Sequence, residues 1–397
     1  MNKSIQKGWA LALLLLPFSH NVVAEDERNT TGKVQQLAGE GIIQTAIYAT
    51  GTKGLLNYWI IDLGREWKKT VYAKDISAKD FLIIKNGQSV KRTFVVTTEV
   101  NGSNQLLVSE DDEEVYADIT PTFVKSTDSA TICQIDSYVD GFGFGHGDPN
   151  KVFLSCSGDS AGLYYSPDQC ASWVKVFDGA IDFFIADYKG PLLAVGYTDD
   201  EHTTHICMSN DDGATWREVY TKADVRVMGA TIHPASSADL MCVYGDEILV
   251  ITNDGGATWK EMALPAGTVD VGFQYNNDYE LYAAVNGEEG MSLWHSKNLG
   301  DSWQCGYTLP SDSSDLIIDM DVYFFYICWL TRSGCVYRLF QGKDSFELLN
   351  DYEAMFSNIR SRQSDEPFTP YYDLQGRPVT NPTRGIYIKD GKKIAVD

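Results

Sequence analysis

The residue types best suited to acid–base or metal chemistry are concentrated in a polar stretch at 198–205. It holds Asp199, Asp200 and Glu201 in succession, followed by His202 and His205. Two carboxylates facing each other across a cleft can hydrolyse glycosides, and histidine with acidic residues can bind metals. A three-residue spacing, however, puts the two histidines on opposite faces of an extended chain, unlike the i, i+4 spacing of a zinc helix. The stretch therefore predicts a solvated loop that contacts a partner, with no metal site.

The sequence lacks the short motifs of several enzyme classes. It has no Gly-x-Ser-x-Gly elbow, no phosphate-binding P-loop, no HExxH zinc motif and no CxxC pair. The glycine-rich segment 141–147 lacks the strand–helix context of a nucleotide loop. No cofactor is predicted.

One octapeptide pattern, with an acidic turn, a glycine and a closing tryptophan, recurs at 166–173, 209–216, 252–259 and 296–303. Its closing residues, Trp173, Trp216, Trp259 and Trp303, are 43, 43 and 44 positions apart. Weaker copies close at Phe346, Tyr116 and Trp67, which makes seven units. A period of this length is typical of propeller blades.

Each octapeptide has the composition of a strand–turn–strand clamp. The acidic side chain accepts hydrogen bonds from nearby backbone amides, the glycine adopts a positive φ, and the aromatic ring fills a seam between sheets. We predict structural roles for Asp62, Trp67, Asp111, Tyr116, Asp168, Trp173, Asp211, Gly213, Trp216, Asp254, Gly256, Trp259, Asn298, Gly300, Trp303 and Phe346.

The unit around the third copy holds four strand-like segments, at 227–232, 240–244, 247–252 and 259–263. Four strands in one repeat match a propeller blade. No comparable stretch shows a helical period with caps. The predicted fold class is all-β: a β-propeller, most simply of seven blades with four antiparallel strands each, followed by a small C-terminal β-hairpin tail.

The octapeptide resembles the Asp-box, or BNR, repeat of sialidase-like propellers and of the propellers that assist photosystem assembly. That resemblance implies that ligands bind opposite the box turns, at loops joining the second strand to the third and the fourth to the next blade. The candidate ligand-binding residues in those loops are Asp159, Asp178, Asp199, Asp200, Glu201, His202, Arg226, Glu288 and Arg332.

Sialidase activity is not expected. The resemblance would require an Arg-Ile-Pro motif and three arginines that hold a carboxylate, because guanidinium groups bind carboxylates in pairs of hydrogen bonds. The motif is missing, and of the arginines only Arg226 and Arg332 fall on the ligand-side loops. We expect a binding or assembly propeller that recognises a glycan or a protein; the alternative is a glycoside hydrolase with an unidentified carboxylate pair.

The two ends of the chain indicate export. Residues 1–24 combine Lys3 and Lys7, a short apolar run and small residues before the acidic segment, which predicts a signal peptide. The propeller is assigned to 25–360, and 361–397 to a linker and a β tail. This tail resembles trimmed type IX sorting segments of exported Gram-negative proteins, which would make it a sorting or attachment element. The expected location is the periplasm, the cell surface or the medium, without a transmembrane anchor.

The formal net charge of −23 argues against nucleic-acid and anionic-membrane partners. Solubility explains this acidic excess, and calcium or a cationic partner is the alternative explanation. Eight cysteines permit disulfides in an exported protein. Cys328 and Cys335 flank a turn and form the favoured pair, whereas free buried thiols are equally compatible with most of the others.

Overall fold

The computed structural model describes the backbone over most of the predicted propeller and in four short strands of the tail. The described residues are 34–38, 45–51, 54–61, 66–72, 78–86, 89–97, 105–110, 115–124, 132–137, 150–186, 193–233, 239–245, 247–274, 277, 279–309, 315–322, 326–340, 346–350, 371–372, 378–379, 385–389 and 392–396. The predicted signal peptide, the predicted linker at 361–367 and the box residues Asp62 and Asp111 lie outside them.

The described strands form eight four-stranded antiparallel sheets, of which seven follow one another along the chain. The first three sheets comprise β1 (Val34–Ala38), β2 (Thr45–Gly51), β3 (Gly54–Ile61) and β4 (Glu66–Tyr72); β5 (Ala78–Asn86), β6 (Ser89–Thr97), β7 (Leu106–Glu110) and β8 (Ala117–Asp118); and β9 (Ile132–Ser137), β10 (Val152–Cys156), β11 (Gly162–Ser166) and β12 (Val174–Asp178). Within each of these sheets, consecutive strands pair in chain order.

The same up-and-down order continues through the next four sheets. They comprise β13 (Phe183–Ala186), β14 (Leu193–Thr198), β15 (Thr203–Ser209) and β16 (Arg217–Ala223); β17 (Val227–Ile232), β18 (Met241–Gly245), β19 (Ile248–Thr252) and β20 (Lys260–Ala263); β21 (Thr268–Phe273), β22 (Leu281–Gly287), β23 (Gly290–Ser296) and β24 (Gln304–Leu309); and β25 (Ile317–Val322), β26 (Tyr326–Thr331), β27 (Val336–Phe340) and β28 (Glu347–Asn350).

The eighth sheet lies at the C-terminus and has a different strand order. It comprises β29 (Tyr371–Tyr372), β30 (Pro378–Val379), β31 (Gly385–Lys389) and β32 (Lys392–Val396), in the order β30-β29-β31-β32. The predicted hairpin is its β31–β32 pair, in which Gly385 lies opposite Val396 and Lys389 opposite Lys392. A role of this sheet in sorting stays a prediction.

Neighbouring sheets meet through their first strands. β5 lies against β9, β13 against β17, β17 against β21, β21 against β25, and β25 also against β1. This is the arrangement of a β-propeller, so the predicted fold class is confirmed; the count of seven blades stays a prediction. Among the described residues there is one 3₁₀ turn, Gly158–Ser160, and none forms a helix long and apolar enough to cross a membrane.

The second strands form the interior of the sheets. Every residue of β10, β18 and β26 is buried, whereas the fourth strands β16 and β20 contain no buried residue. A strand covered on both faces has no need of polar alternation. This explains the continuous apolar runs in the sequence.

Five of the predicted closing aromatics lie at the seams between successive sheets. Trp216, Trp259 and Trp303 each pack against a cluster of buried side chains drawn from their own sheet and the preceding one. Trp173 does the same one sheet earlier, and Phe346 stacks on Trp329 at 3.9 Å between ring centroids. The Trp216 indole donates to the Val176 carbonyl of the preceding sheet at 2.6 Å. Each octapeptide therefore ties two sheets together.

In the four boxes that the structure describes, the Asp or Asn side chain closes the turn before the ring. In the third copy, the Asp254 carboxylate accepts hydrogen bonds from the Thr258 hydroxyl at 2.6 Å, the Thr258 amide at 2.8 Å and the Thr252 hydroxyl at 2.8 Å. These bonds lower the pKa of Asp254 to about 2, with the Thr258 hydroxyl as the largest cause. Asn298 makes the corresponding amide-to-hydroxyl bond to Ser302 at 3.0 Å in the next copy.

The cysteine prediction was wrong for its favoured pair. The turn between β26 and β27 places Cys335 opposite Thr331, with the Thr331 amide donating to the Cys335 carbonyl at 2.9 Å. Cys328 pairs with Arg338, three residues further along β27, and is fully buried as a free thiol. The turn at 332–334 sets this register, so Cys335 lies opposite Thr331 and is three residues out of register with Cys328.

Two adjacent glycines in one box provide a test of seam packing. Gly255 and Gly256 have φ of +66° and +80°, but a methyl group on Gly256 would lie 2.5 Å from Met208 Sδ in the neighbouring sheet, whereas one on Gly255 would meet nothing closer than 3.6 Å. We expect Gly255→Ala to lower the unfolding free energy by about 1 kcal/mol for the left-handed backbone alone, and Gly256→Ala by about 1–3 kcal/mol more. Urea denaturation measures both, and equal losses would contradict the seam contact.

The box carboxylates should confer acid sensitivity. The folded pKa of Asp254 is about 2 and its ordinary value is 3.8, so its stabilising contribution is present above about pH 4 and is lost as the pH falls toward 2. We expect Asp254→Asn to weaken that decline and Asn298→Asp to steepen it. The measurement is the thermal midpoint between pH 2 and 6, and curves that run parallel for all three proteins would show that the carboxylate bonds do not contribute.

Candidate functional site

The loop face is defined as the ends of the sheets that carry the turns between second and third strands and the connections from fourth strands to the next sheet. The opposite ends, with the octapeptide turns, are the box face. Topology places all nine predicted ligand-binding residues on the loop face. Asp159, Asp178, Asp200, Glu201, His202, Arg226 and Glu288 are exposed, and Asp199 and Arg332 are half-buried.

The polar stretch 198–205 forms a tighter loop than the sequence predicts. β14 runs to Thr198 and β15 starts at Thr203, which leaves a four-residue turn. The Asp199 carboxylate accepts bonds from the amides of Glu201 at 3.0 Å and Thr203 at 2.8 Å. The turn therefore presents Asp200 and Glu201 to solvent, while Asp199 holds it together.

His205 lies between two carboxylates beneath this turn. Its Nε2 is 3.1 Å from Asp199 Oδ2, its Nδ1 is 2.7 Å from Glu218 Oε2, and its ring stacks on Tyr197 at 4.8 Å. Burial of the ring lowers the pKa of His205, but the hydrogen bonds to Asp199 and Glu218 outweigh burial, so the pKa is raised. The same bonds help to lower the pKa of both carboxyl groups. His202 is exposed on the turn, whereas His205 is half-buried between the two carboxylates.

The turn is joined to the connection between β16 and β17. The Asp224 amide donates to the His202 carbonyl at 2.9 Å. Arg226 lies 4.0 Å from Asp182, whose carboxylate also accepts a bond from the Thr198 hydroxyl at 2.8 Å. The structure thus brings Asp199, His202 and Arg226 into one cluster. Asp182 was missed because its position in a connecting segment has no motif.

Two other predicted residues lie in separate environments on the loop face. Asp178 forms an ion pair with Lys175, which lowers the pKa of the carboxyl group. Arg332 donates its amide to the Leu316 carbonyl at 2.8 Å, and its Nε is buried without a hydrogen-bond partner among the described residues. Asp159 and Glu288 lie in the turns of other sheets, so the nine candidates do not form a single constellation.

A buried acid that the sequence analysis did not single out joins three sheets. Asp270 of β21 accepts hydrogen bonds from the Tyr244 hydroxyl at 2.6 Å, the Val271 amide at 2.7 Å and the Met320 amide at 2.8 Å. Burial raises the pKa of Asp270. The signal in the sequence was an acid inside an apolar first strand, which occurs again at Asp319 of β25 and at Asp80 of β5.

The described acids near the loop face and between the sheets differ in the direction of their pKa shifts. A glycosidase requires an acid with a raised pKa that faces a second carboxylate across a groove. Asp178 and Asp199 have lowered pKa values, whereas the pKa of Asp270 is raised and its carboxyl group is buried, in hydrogen-bond contact with Asp319. Among the described residues, no three histidine, cysteine or acidic side chains are grouped so that they could hold a metal ion.

Comparison with known proteins supports the fold. The family model described as Sortilin-Vps10 (sortilin, neurotensin receptor 3) matches residues 204–308, which run from β15 to β24. No curated protein sequence matches the chain.

Solved structures give the same result at low sequence identity. The chain is similar to YCF48 bound to D1 peptide, with a TM-score of 0.53, 11% identity and coverage of 78% of this chain and 97% of that one. It is also similar to a putative 6-phosphogluconolactonase from Bacteroides uniformis, with a TM-score of 0.53, 11% identity and coverage of 78% of this chain and 96% of that one. For a puromycin-hydrolysing peptidase from Mycobacterium tuberculosis, the TM-score is 0.56 and the identity 10%, with coverage of 91% of this chain and 58% of that one. Such likeness shows the β-propeller fold alone.

Two histidines with opposite pKa shifts provide a pH test of the cluster. The raised pKa of His205 means that its stabilising contribution is complete below pH 6.5 and is lost as the pH rises through the folded pKa. Burial lowers the pKa of His295, which lies 3.0 Å from Glu280, so its contribution is complete above pH 6.5 and is lost as the pH falls.

We therefore expect His205→Gln to flatten the alkaline side of the stability profile and His295→Gln to flatten the acidic side. Thermal unfolding between pH 5 and 9 measures both effects, and nuclear magnetic resonance titration of the rings gives the two pKa values directly. A His205 ring that titrates below pH 6.5 would contradict the carboxylate pairing.

Proposed function

We propose that this chain is an exported binding or assembly propeller that recognises a polypeptide segment of a partner protein through its loop face. The observation that carries the proposal is the chemical state of the loop-face acids. The carboxylates of Asp178 and Asp199 are held as ions by Lys175, His205 and backbone amides. These two carboxylates can present a permanent negative charge to a ligand, but they cannot donate a proton at neutral pH.

The charge of this face supports a partner with basic side chains. Asp159, Asp200, Glu201 and Glu288 are exposed there, and Arg226 is the exposed arginine among the nine candidates. Complementary charge accelerates association and selects partners more than it increases affinity. The similar propeller YCF48 was solved with a bound D1 peptide, which supports a peptide as the kind of ligand that this fold accepts.

Export and surface attachment belong to the same proposal. The signal-peptide pattern in residues 1–24 supports secretion into an extracytoplasmic compartment, and the tail at 361–397 supports sorting or attachment. Free buried cysteines are compatible with this location because burial keeps thiols unreactive: it raises the pKa of Cys170 to about 12.

The test uses the mature chain, residues 25–397, on a peptide array of graded charge and on a glycan array, with hydrolysis assays on the same glycans. We expect salt-sensitive binding of basic peptides without glycan turnover. Asp200→Asn should weaken binding by about five-fold, the effect of one exposed ion pair. Asp239→Asn, which removes one exposed carboxylate from the box face, is the matched control and should have no effect.

Two results would overturn the proposal. One is an equal loss of peptide affinity in Asp200→Asn and Asp239→Asn, which would show that the effect comes from the net charge of the chain. The other is glycan hydrolysis that disappears when a loop-face acid is changed, which would establish the hydrolase alternative.

A further inference from the structure

A groove on the box face lies between the sheet β17–β20 and the sheet β21–β24. It has a volume of about 410 Å³, and its lining includes Trp259 and Lys260 from one sheet and Tyr279, Asn298 and Asp301 from the next. Pockets of this volume are within the range that holds small ligands. The groove is on the opposite side of the sheets from the loop face.

Tyr279 is a large aromatic side chain that the fold holds in solvent. It is 65% exposed, although burial of an aromatic ring is favourable. Both backbone polar groups of Tyr279 are hydrogen-bonded: its amide donates to Asn277 Oδ1 at 3.1 Å, and its carbonyl accepts from the Leu299 amide at 2.9 Å. The ring therefore stands on a backbone that is anchored to the box turn, which makes it a preorganised platform.

The corresponding positions in two other sheets carry polar residues. In these sheets too, a backbone amide of the box turn donates a hydrogen bond to a carbonyl of the preceding hairpin. The acceptor is the carbonyl of Asn150 in one sheet, at 2.8 Å, and that of Asp239 in another, at 3.2 Å. The fold therefore does not require an aromatic residue at this point. An exposed tyrosine beside a groove, where its structural equivalents are polar, indicates a contact with something outside the chain.

The polar groups of the groove are electrically balanced. Lys260 Nζ forms an ion pair with the Asp301 carboxylate across the seam, and the remaining polar side chains of the lining are two amides, two hydroxyls and an indole. Asn253 adds an exposed side-chain amide without a hydrogen-bond partner among the described residues. In a chain with a formal charge of −23, this is a locally neutral surface with both donors and acceptors.

We propose that this groove binds a neutral glycan. One sugar ring stacks on Tyr279, and its hydroxyl groups bond with the Asn253 amide and the Lys260–Asp301 pair. A charged ligand would have to break that pair, and a purely apolar ligand would remove the pair and the amide from water without replacing their hydrogen bonds. A flat ring that carries hydroxyls at its edge satisfies both parts of the lining.

The experiment titrates the mature chain with neutral tetrasaccharides of β1,4-linked glucose, xylose, mannose and N-acetylglucosamine, up to about 10 mM, followed by calorimetry. We expect at least one to bind. Tyr279→Ala should weaken its binding by about ten-fold or more, as for an aromatic anchor, whereas Tyr279→Phe should retain it. Asp239→Ala, at the equivalent turn of the neighbouring sheet, is the control and should leave the affinity unchanged.

The variants keep this test independent of folding and of the proposed function. Tyr279 is exposed, so its truncation leaves no cavity, and an unchanged thermal midpoint verifies this. The loop-face variant Asp200→Asn should bind the glycan normally. The inference is overturned if none of the four glycans binds, if Tyr279→Ala binds as well as the parent chain, or if basic peptides occupy the groove instead.

Discussion

Burial of one aromatic ring at each seam is the interaction on which the arrangement of the described sheets depends. A four-stranded sheet of this kind leaves two apolar faces, so no sheet is stable unless both of its neighbours are in place. Trp173, Trp216, Trp259, Trp303 and Phe346 complete these contacts, each contributing roughly 1–2 kcal/mol through its partly buried ring. The box carboxylates act on the same element, because they hold the turn that delivers the ring.

The same scaffold keeps its carboxyl groups in two contrasting states. At the turns, Asp254 and Asp199 accept amide and hydroxyl hydrogen bonds that favour the ion. Inside, Asp270 is surrounded by three sheets, and burial favours its protonated form. The ionised acids present negative charge to solvent, and the buried acid links β21 to β18 through Tyr244 and to β25 through Met320.

The sequence pattern was sufficient to predict the elements that depend only on neighbouring residues. The strand predicted at 227–232 coincides with β17, and the strand predicted at 240–244 differs from β18 by one residue at each end. Runs of apolar and β-branched residues between turn residues specify such strands without help from distant contacts. The stretch 198–205 was predicted as a longer loop because its charges conceal β15, in which Thr204, Ile206 and Met208 are buried. The pairing of Cys328 with Cys335 failed because register depends on a turn whose length the sequence leaves open.

The sequence by itself determined the repeat, the turn chemistry and the fold class, because each depends on residue type at a short and constant spacing. Only the tertiary structure decided which side chains from different sheets meet. The His205–carboxylate contacts, the three-sheet junction at Asp270 and the groove beside Tyr279 all join residues that are brought together by antiparallel pairing or by packing across a seam. Such contacts follow from the register and the angle between sheets, which are collective properties of the packed core and have no signature in any single segment.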